Sequence, residues 1–206
     1  MQRVLPSGES WSPEGQGVVN RVGPQCYHHG VNQLTREVIV GALELLADRL
    51  EPDEPRVDLI VVGGAAMVLL FGARQSTKDV DAFQLDMDAK PRVAEAAASV
   101  AIALDLPGDW LNDAARGYVH GLSVGPVLLE TPTLRVRTLS STQLLAMKLS
   151  AWRDDVDIDD ARRLLTECRG AREDVWGDVE PYIVPGREIK ARYAFDDLWE
   201  SEHGPA

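Results

Sequence analysis

Asp79 and Asp81 stand one residue apart in the segment STKDVDAF, and that spacing has a chemical consequence. In an extended strand, side chains at i and i+2 share one face, so the two carboxylates lie a few ångströms apart. Like charges that close repel, and one is driven towards protonation unless a cation sits between them. A divalent metal answers that need: Mg²⁺ prefers hard oxygen ligands and is commonly held by one or two carboxylates plus substrate phosphates. Upstream, the apolar run VDLIVV ends in Gly63 and Gly64. Glycine lets the backbone approach a phosphate closely, and a helix starting there offers free N–H groups. Arg74 and Lys78 add positive charge near the same phosphates. Alone, Gly-Gly is a turn and Asp-x-Asp a solvated strand edge. Joined as strand, Gly-Gly, helix, loop and strand, they point to metal-assisted phosphate chemistry.

The elements that must position these residues are readable from pattern. Residues 57–62 are β-branched and apolar on both faces, as in a buried central strand. A short buried helix is predicted over 65–71, stopped by Gly72, and a second strand over 79–85. Ahead of them, a helix beginning at Asn32 or Thr35 carries Leu34, Val38, Ile39, Ala42, Leu43, Leu46 and Leu50 on one broad face, and the prolines of EPDEP end it. Behind them come an alanine-rich helix over 89–104 and a short helix within 109–119. Two strands, 124–130 and 134–139, form a hairpin through Thr131-Pro132-Thr133. Ser140, Ser141 and Thr142 are N-cap candidates for a helix over 143–153. A further helix over 159–168 follows the acidic turn DDVDIDD, and 172–199 reads as helix in at least two pieces. Strands interleaved with helices, then helices only, imply an α/β (α+β) layout. The predicted organisation is an irregular arm over 1–30, a core over 31–140 and a helical lobe over 141–206.

Bulk properties narrow the function classes. The 206 residues carry a formal net charge of −12, which argues against a broad surface that wraps nucleic acid by phosphate neutralisation. It leaves room for a small local site for a phosphate-bearing ligand. No apolar run approaches the ~18 residues of a membrane span. The first 30 residues lack the apolar core of a secretory signal, so the cytoplasm is the expected location. Cys26 and Cys168 are far apart and form no Cys-x-x-Cys, which points to reduced structural thiols. His28, His29 and His120 read as solvated, and Trp110, Trp152, Trp176 and Trp199 as packing residues. Arg162, Arg163, Arg169 and Arg172 cluster near one helix end, as a phosphate site or a solvated face.

The layout of an apolar strand, Gly-Gly, a helix and then Arg74-x-x-Thr77-x-Asp79-Val80-Asp81 resembles the core of the nucleotidyltransferase (polymerase-β-like) superfamily. More closely it is similar to the AbiEii-type toxins and their uncharacterised relatives. LLAMKLSAWRDDVDIDDARRLL (144–165) and DWLNDAARG (109–117) extend the resemblance, which covers about residues 35–170. It implies a mixed sheet flanked by helices, an NTP as donor and Mg²⁺ as cofactor. Gly63, Gly64, Arg74, Thr77 and Lys78 would then contact the nucleotide, while Asp79 and Asp81 bind metal. Lys148 and one of Asp157, Asp159 or Asp160 would match the later Lys and Asp positions, with Asp160 assigned to the nucleotide. Glu130, ending VLLE, is the expected third carboxylate, and it or Asp81 the expected general base. Ala65 stands where many members carry Ser or Thr. The implied role is the toxin of a toxin–antitoxin or phage-defence pair, modifying an RNA acceptor such as a tRNA 3′ end and paired with a cognate antitoxin protein. The alternatives are a small cationic acceptor such as an antibiotic, or a degenerate member that only binds nucleotide or a partner protein.

Overall fold

Thr35 closes a two-residue strand, β1 (Leu34–Thr35), and its hydroxyl accepts the Val38 amide at 3.4 Å, which caps helix α1 (Arg36–Asp48). The computed structural model describes residues 33–204; the arm expected over 1–30, with Cys26, His28 and His29, lies outside them. α1 buries Ile39, Ala42, Leu43, Leu46 and Ala47, the three-and-four spacing of one helix face. After the prolines comes β2 (Val57–Val61), in which Leu59, Ile60 and Val61 are fully buried.

Gly63 opens α2 (Gly63–Ala66), a single turn that continues into a wider π-turn at Met67–Phe71. The helix predicted over 65–71 is thus partly π, because the Gly72 and Ala73 amides both return to the Met67 carbonyl. The short β3 (Ser76–Thr77) pairs with β1, and β4 (Val80–Gln84) runs antiparallel to β2. α3 (Lys90–Leu104) follows.

The segment 109–119 holds the predicted short helix only in its second half, and there as 3₁₀. It forms β5 (Leu111–Asn112), parallel to β4, and then a 3₁₀ turn at Ala114–Tyr118. Trp110 is the reason. Its fully buried indole donates to the Ala97 carbonyl at 3.0 Å, while its own carbonyl accepts the Val80 amide at 2.6 Å. That last bond belongs to a sheet ladder and ties the segment to β4.

β6 (Val124–Glu130) and β7 (Leu134–Leu139) form the predicted hairpin, and β7 lies parallel to β2. The sheet order is β5-β4-β2-β7-β6, a mixed five-stranded sheet with the apolar β2 at its centre. Helices alone follow: α4 (Ser141–Ala151), α5 (Asp155–Leu165), α6 (Arg172–Val179) and α7 (Glu188–His203). α4 is buried from Gln143 to Ala151, so it works as the spine of the helical region. α5 starts at Asp155, capped by the Asp154 carboxylate, so the acidic run lies inside the helix and Asp157 and Asp160 fall on its buried face. Trp176, Phe195 and Trp199 pack together where α6 meets α7. No helix among the described residues is long and apolar enough to cross a membrane.

Candidate active site

The antiparallel pairing of β2 and β4 brings the end of one to the start of the other. The Val62 amide donates to the Asp81 carbonyl at 2.9 Å, which sets Gly63 directly beside Asp81. Gly63 has φ +61°, a conformation that disfavours any residue with a side chain, and a Cβ there would sit 2.9 Å from Asp81 Oδ2. A Cβ on Gly64 would fall 2.5 Å from Thr77 Oγ1 and 3.2 Å from Arg74 Nη1. The two glycines therefore make room for the site's own side chains.

Asp79 and Asp81 are both half-buried and both line a cleft of about 900 Å³. Each is anchored through one oxygen. Asn112 Nδ2 donates to Asp79 Oδ2 at 3.0 Å, and the Ala115 amide donates to Asp81 Oδ1 at 3.1 Å. Burial, and then the neighbouring Asp79 charge, push the Asp81 carboxyl above its ordinary range; the Ala115 hydrogen bond and the Lys148 and Arg153 charges oppose this only in part. No group of three or more His, Cys, Asp or Glu side chains suited to a metal occurs among the described residues. Two carboxylates with their remaining oxygens free suit Mg²⁺, which commonly takes one or two protein carboxylates and completes its shell from water and phosphate.

The facing wall comes from α4 and α5. Lys148 is only 9% exposed, and its ammonium lies 2.9 Å from Asp157 Oδ1 and 2.7 Å from Asp160 Oδ2. Arg74 reaches Asp160 through both prongs of its guanidinium, with Nε 2.8 Å from Oδ1 and Nη2 on Oδ2. Arg153 engages Asp157 Oδ2 through its amide at 3.2 Å and its Nε at 3.0 Å. Burial would raise the Asp157 carboxyl, but hydrogen bonds from Arg153 and Lys148 outweigh it and hold the group at about 2. Between the helices Trp152 sits at φ +37°, a rare backbone for a bulky residue, and this turn sets Arg153 at the mouth of the cleft. Both Nη atoms of Arg153, and the Lys78 ammonium, have no hydrogen-bond or ion-pair partner among the described residues.

The structure gathers Gly63, Gly64, Arg74, Thr77, Lys78, Asp79, Asp81 and Lys148 around one cleft, with Asp160 behind Lys148. Arg74, expected at the nucleotide, and Lys148, expected as the family's later, catalytic lysine, are each engaged by buried aspartates. Glu130 is a correction. It pairs in register with Arg135, which lies opposite Asp58 near the start of β2, whereas Gly63 follows the other end of that strand. Exposed on the edge strand, it binds Arg56 and Arg135, each at 2.8 Å, so it is neither a third carboxylate nor a base for this cleft. Three of the four arginines of the C-terminal cluster also meet acids: Arg162 meets Asp159 and Glu202, Arg163 meets Glu167, and Arg172 meets Asp196.

Two residues, Asn112 and Arg153, escaped the sequence reading, and a third, Asp157, was named there only as one of three alternatives. Asn112 sits in a two-residue strand, too short to show a period. Arg153 follows a helix end and reads as surface, and Asp157 lies in an acidic run whose inward face only helix phase reveals.

A family model described as "Nucleotidyltransferase of unknown function (DUF6036)" matches residues 40–166, more than half of the chain. The match spans both walls of the cleft. No curated protein and no solved structure matches the chain.

Proposed function

Because the chain belongs to this family of nucleotidyltransferases of unknown function, DUF6036, we propose that it transfers a nucleoside monophosphate from an NTP to an acceptor hydroxyl in the cleft. The observation that carries this reading is the pair Asp79 and Asp81, each tethered through one oxygen, with its other oxygen unbonded among the described residues, in the cleft that Arg153 also lines. Asp79 and Asp81 would hold Mg²⁺, which supplies charge neutralisation at the phosphates and the leaving pyrophosphate. Gly63 and Gly64 keep the end of β2 free of side chains, so phosphates can come up to the carboxylates. The Nη atoms of Arg153 and the Lys78 ammonium, without partners among the described residues, receive the phosphate tail, where guanidinium geometry favours paired contacts. The acceptor oxygen forms its bond to the α-phosphorus as the bond to pyrophosphate breaks, and its proton passes to Asp81, whose Oδ2 carries no hydrogen bond among the described residues. Lys148, held by two aspartates, keeps α5 and Arg153 in place.

For the acceptor we favour the 3′ end of an RNA such as a tRNA, with the protein acting in the cytoplasm as a toxin restrained by a cognate antitoxin. The net charge of −12 disfavours long polyanions and leaves an unpaired end as the part that enters. The same charge is the observation behind a second reading, a small cationic acceptor such as an antibiotic. Incubation with Mg²⁺, each labelled NTP and total RNA tests the first reading, with Asp79→Ala/Asp81→Ala as control. Label in RNA that vanishes in the double variant supports it; NTP binding without transfer to RNA, together with a drug adduct by mass spectrometry, moves the assignment to the cationic acceptor. If calorimetry shows neither NTP nor Mg²⁺ binding, the chemistry is lost and a partner-binding role stands in its place.

A further inference from the structure

Beside Asp79, where a third acid would complete a metal site, the chain places an amide. We infer that Asn112, together with the Ala115 amide, is a positioning element that aims the two carboxylates at a divalent cation, an inference that rests on the nucleotidyl transfer proposed above.

The Asn112 amide has no freedom to turn. Its Oδ1 accepts the Ala114 amide at 2.9 Å, while its Nδ2 donates to Asp79 Oδ2 at 3.0 Å and to the Asp109 carbonyl at 3.3 Å. Flipping the group would set NH₂ against the Ala114 N–H and an oxygen against a carboxylate, which its hydrogen-bonding capacity forbids. The backbone beneath it is equally tied. Asn112 lies in register with Asp81 through the β4–β5 pairing, and Trp110 pins the segment to α3 and to Val80.

The result is two carboxylates held in complementary ways. Asp79 is anchored at Oδ2 and Asp81 at Oδ1, which leaves Asp79 Oδ1 and Asp81 Oδ2 without a hydrogen bond among the described residues. Asp81 Oδ2 faces the space kept open by Gly63. A neutral donor at position 112 fixes a ligand without adding a third negative charge to a pair that already repels. Groups that orient metal ligands in this way change metal affinity roughly 10–100-fold when removed.

The test uses Mn²⁺ as probe, with paramagnetic resonance reading free ion over the metal-free full chain, so that activity is not needed. Wild type binds Mn²⁺ and Asp79→Ala does not. Asn112→Ala and Asn112→Leu weaken Mn²⁺ binding by about tenfold or more, with an unchanged thermal midpoint in the absence of metal. Ala115→Pro removes the Asp81 donor and leaves both carboxylates and Asn112 unchanged, at an amide that the 3₁₀ turn itself does not use, and it weakens Mn²⁺ comparably. This variant carries the test if the Asn112 variants fail to fold. Wild type that binds Mn²⁺ while the folded variants stay within twofold of it overturns the inference alone. Wild type that binds no Mn²⁺, with or without NTP, overturns the functional reading beneath it.

Discussion

The two walls of the cleft use the same kinds of residue to opposite ends. On one, Asp79 and Asp81 stand together with no ion pair to either among the described residues, and burial beside a like charge raises Asp81. On the other, an unbroken chain runs Arg74–Asp160–Lys148–Asp157–Arg153, in which each buried charge meets an opposite one. The first wall leaves one oxygen of each carboxylate unbonded among the described residues, whereas the second engages both oxygens of Asp157 and of Asp160. A buried carboxylate thus stabilises the fold or is held at a cost according to its neighbours, since the penalty of burial is offset only by paired charge and hydrogen bonds.

Removing one charge from each wall is the strongest way to break this contrast. Asp157→Ala takes a partner from both Lys148 and Arg153 and should cost about 3–5 kcal/mol in chemical denaturation, the usual loss for a broken buried pair. Asp81→Asn should raise the thermal midpoint while ending transfer. If Asp81→Asn destabilises as much as Asp157→Ala, the walls are not different in kind.

The pH dependence sharpens the contrast. Asp157 sits at about 2 in the fold against 3.8 for a free aspartate, so the unfolded chain binds more protons between those values. Its contribution, about 2 kcal/mol, is present above pH 4 and lost as pH falls towards 2. Asp81 has the opposite sign: its folded carboxyl holds the proton more tightly, so stability declines as pH rises from 3.8 through the raised value. Denaturation midpoints over pH 2–7 for Asp157→Asn and Asp81→Asn should flatten opposite limbs of the wild-type curve.

Gly63→Ala acts on the boundary of the first wall. A left-handed backbone costs about 1–2 kcal/mol for a residue with a Cβ, and that atom would press on Asp81 Oδ2. Metal binding should fall further than stability, as titration of both would show. Smallest is Glu130→Gln at the far end of the sheet, which should change stability by under about 1 kcal/mol and leave nucleotidyl transfer unchanged. A large loss of transfer in Glu130→Gln would return that residue to the site.

Much of the fold was legible because its signals are local. The β-branched run at 57–61, the glycines after it, the proline stop before it and the seryl cap of α4 each act over a few residues. The first half of the segment 109–119 was misread because Leu111 and Asn112 are too few to show a strand period, and only the burial of Trp110 against α3 forces them onto β4. Lys148 posed the same difficulty, since nothing nearby in sequence distinguishes a lysine on a solvated helix face from one enclosed by two aspartates of the next helix.

By itself the sequence determined that two carboxylates share a strand face after a Gly-Gly turn, because period and backbone permissiveness belong to a residue and its immediate neighbours. Only the tertiary structure decided which charges those carboxylates, lysines and arginines meet. Strand order carried Glu130 away from the cleft, the β4–β5 register set Asn112 beside Asp79, and the packing of α5 on α4 closed Asp160 onto both Lys148 and Arg74. Those partners lie far apart along the chain, and their pairing is decided by burial of the whole core, which no local pattern encodes.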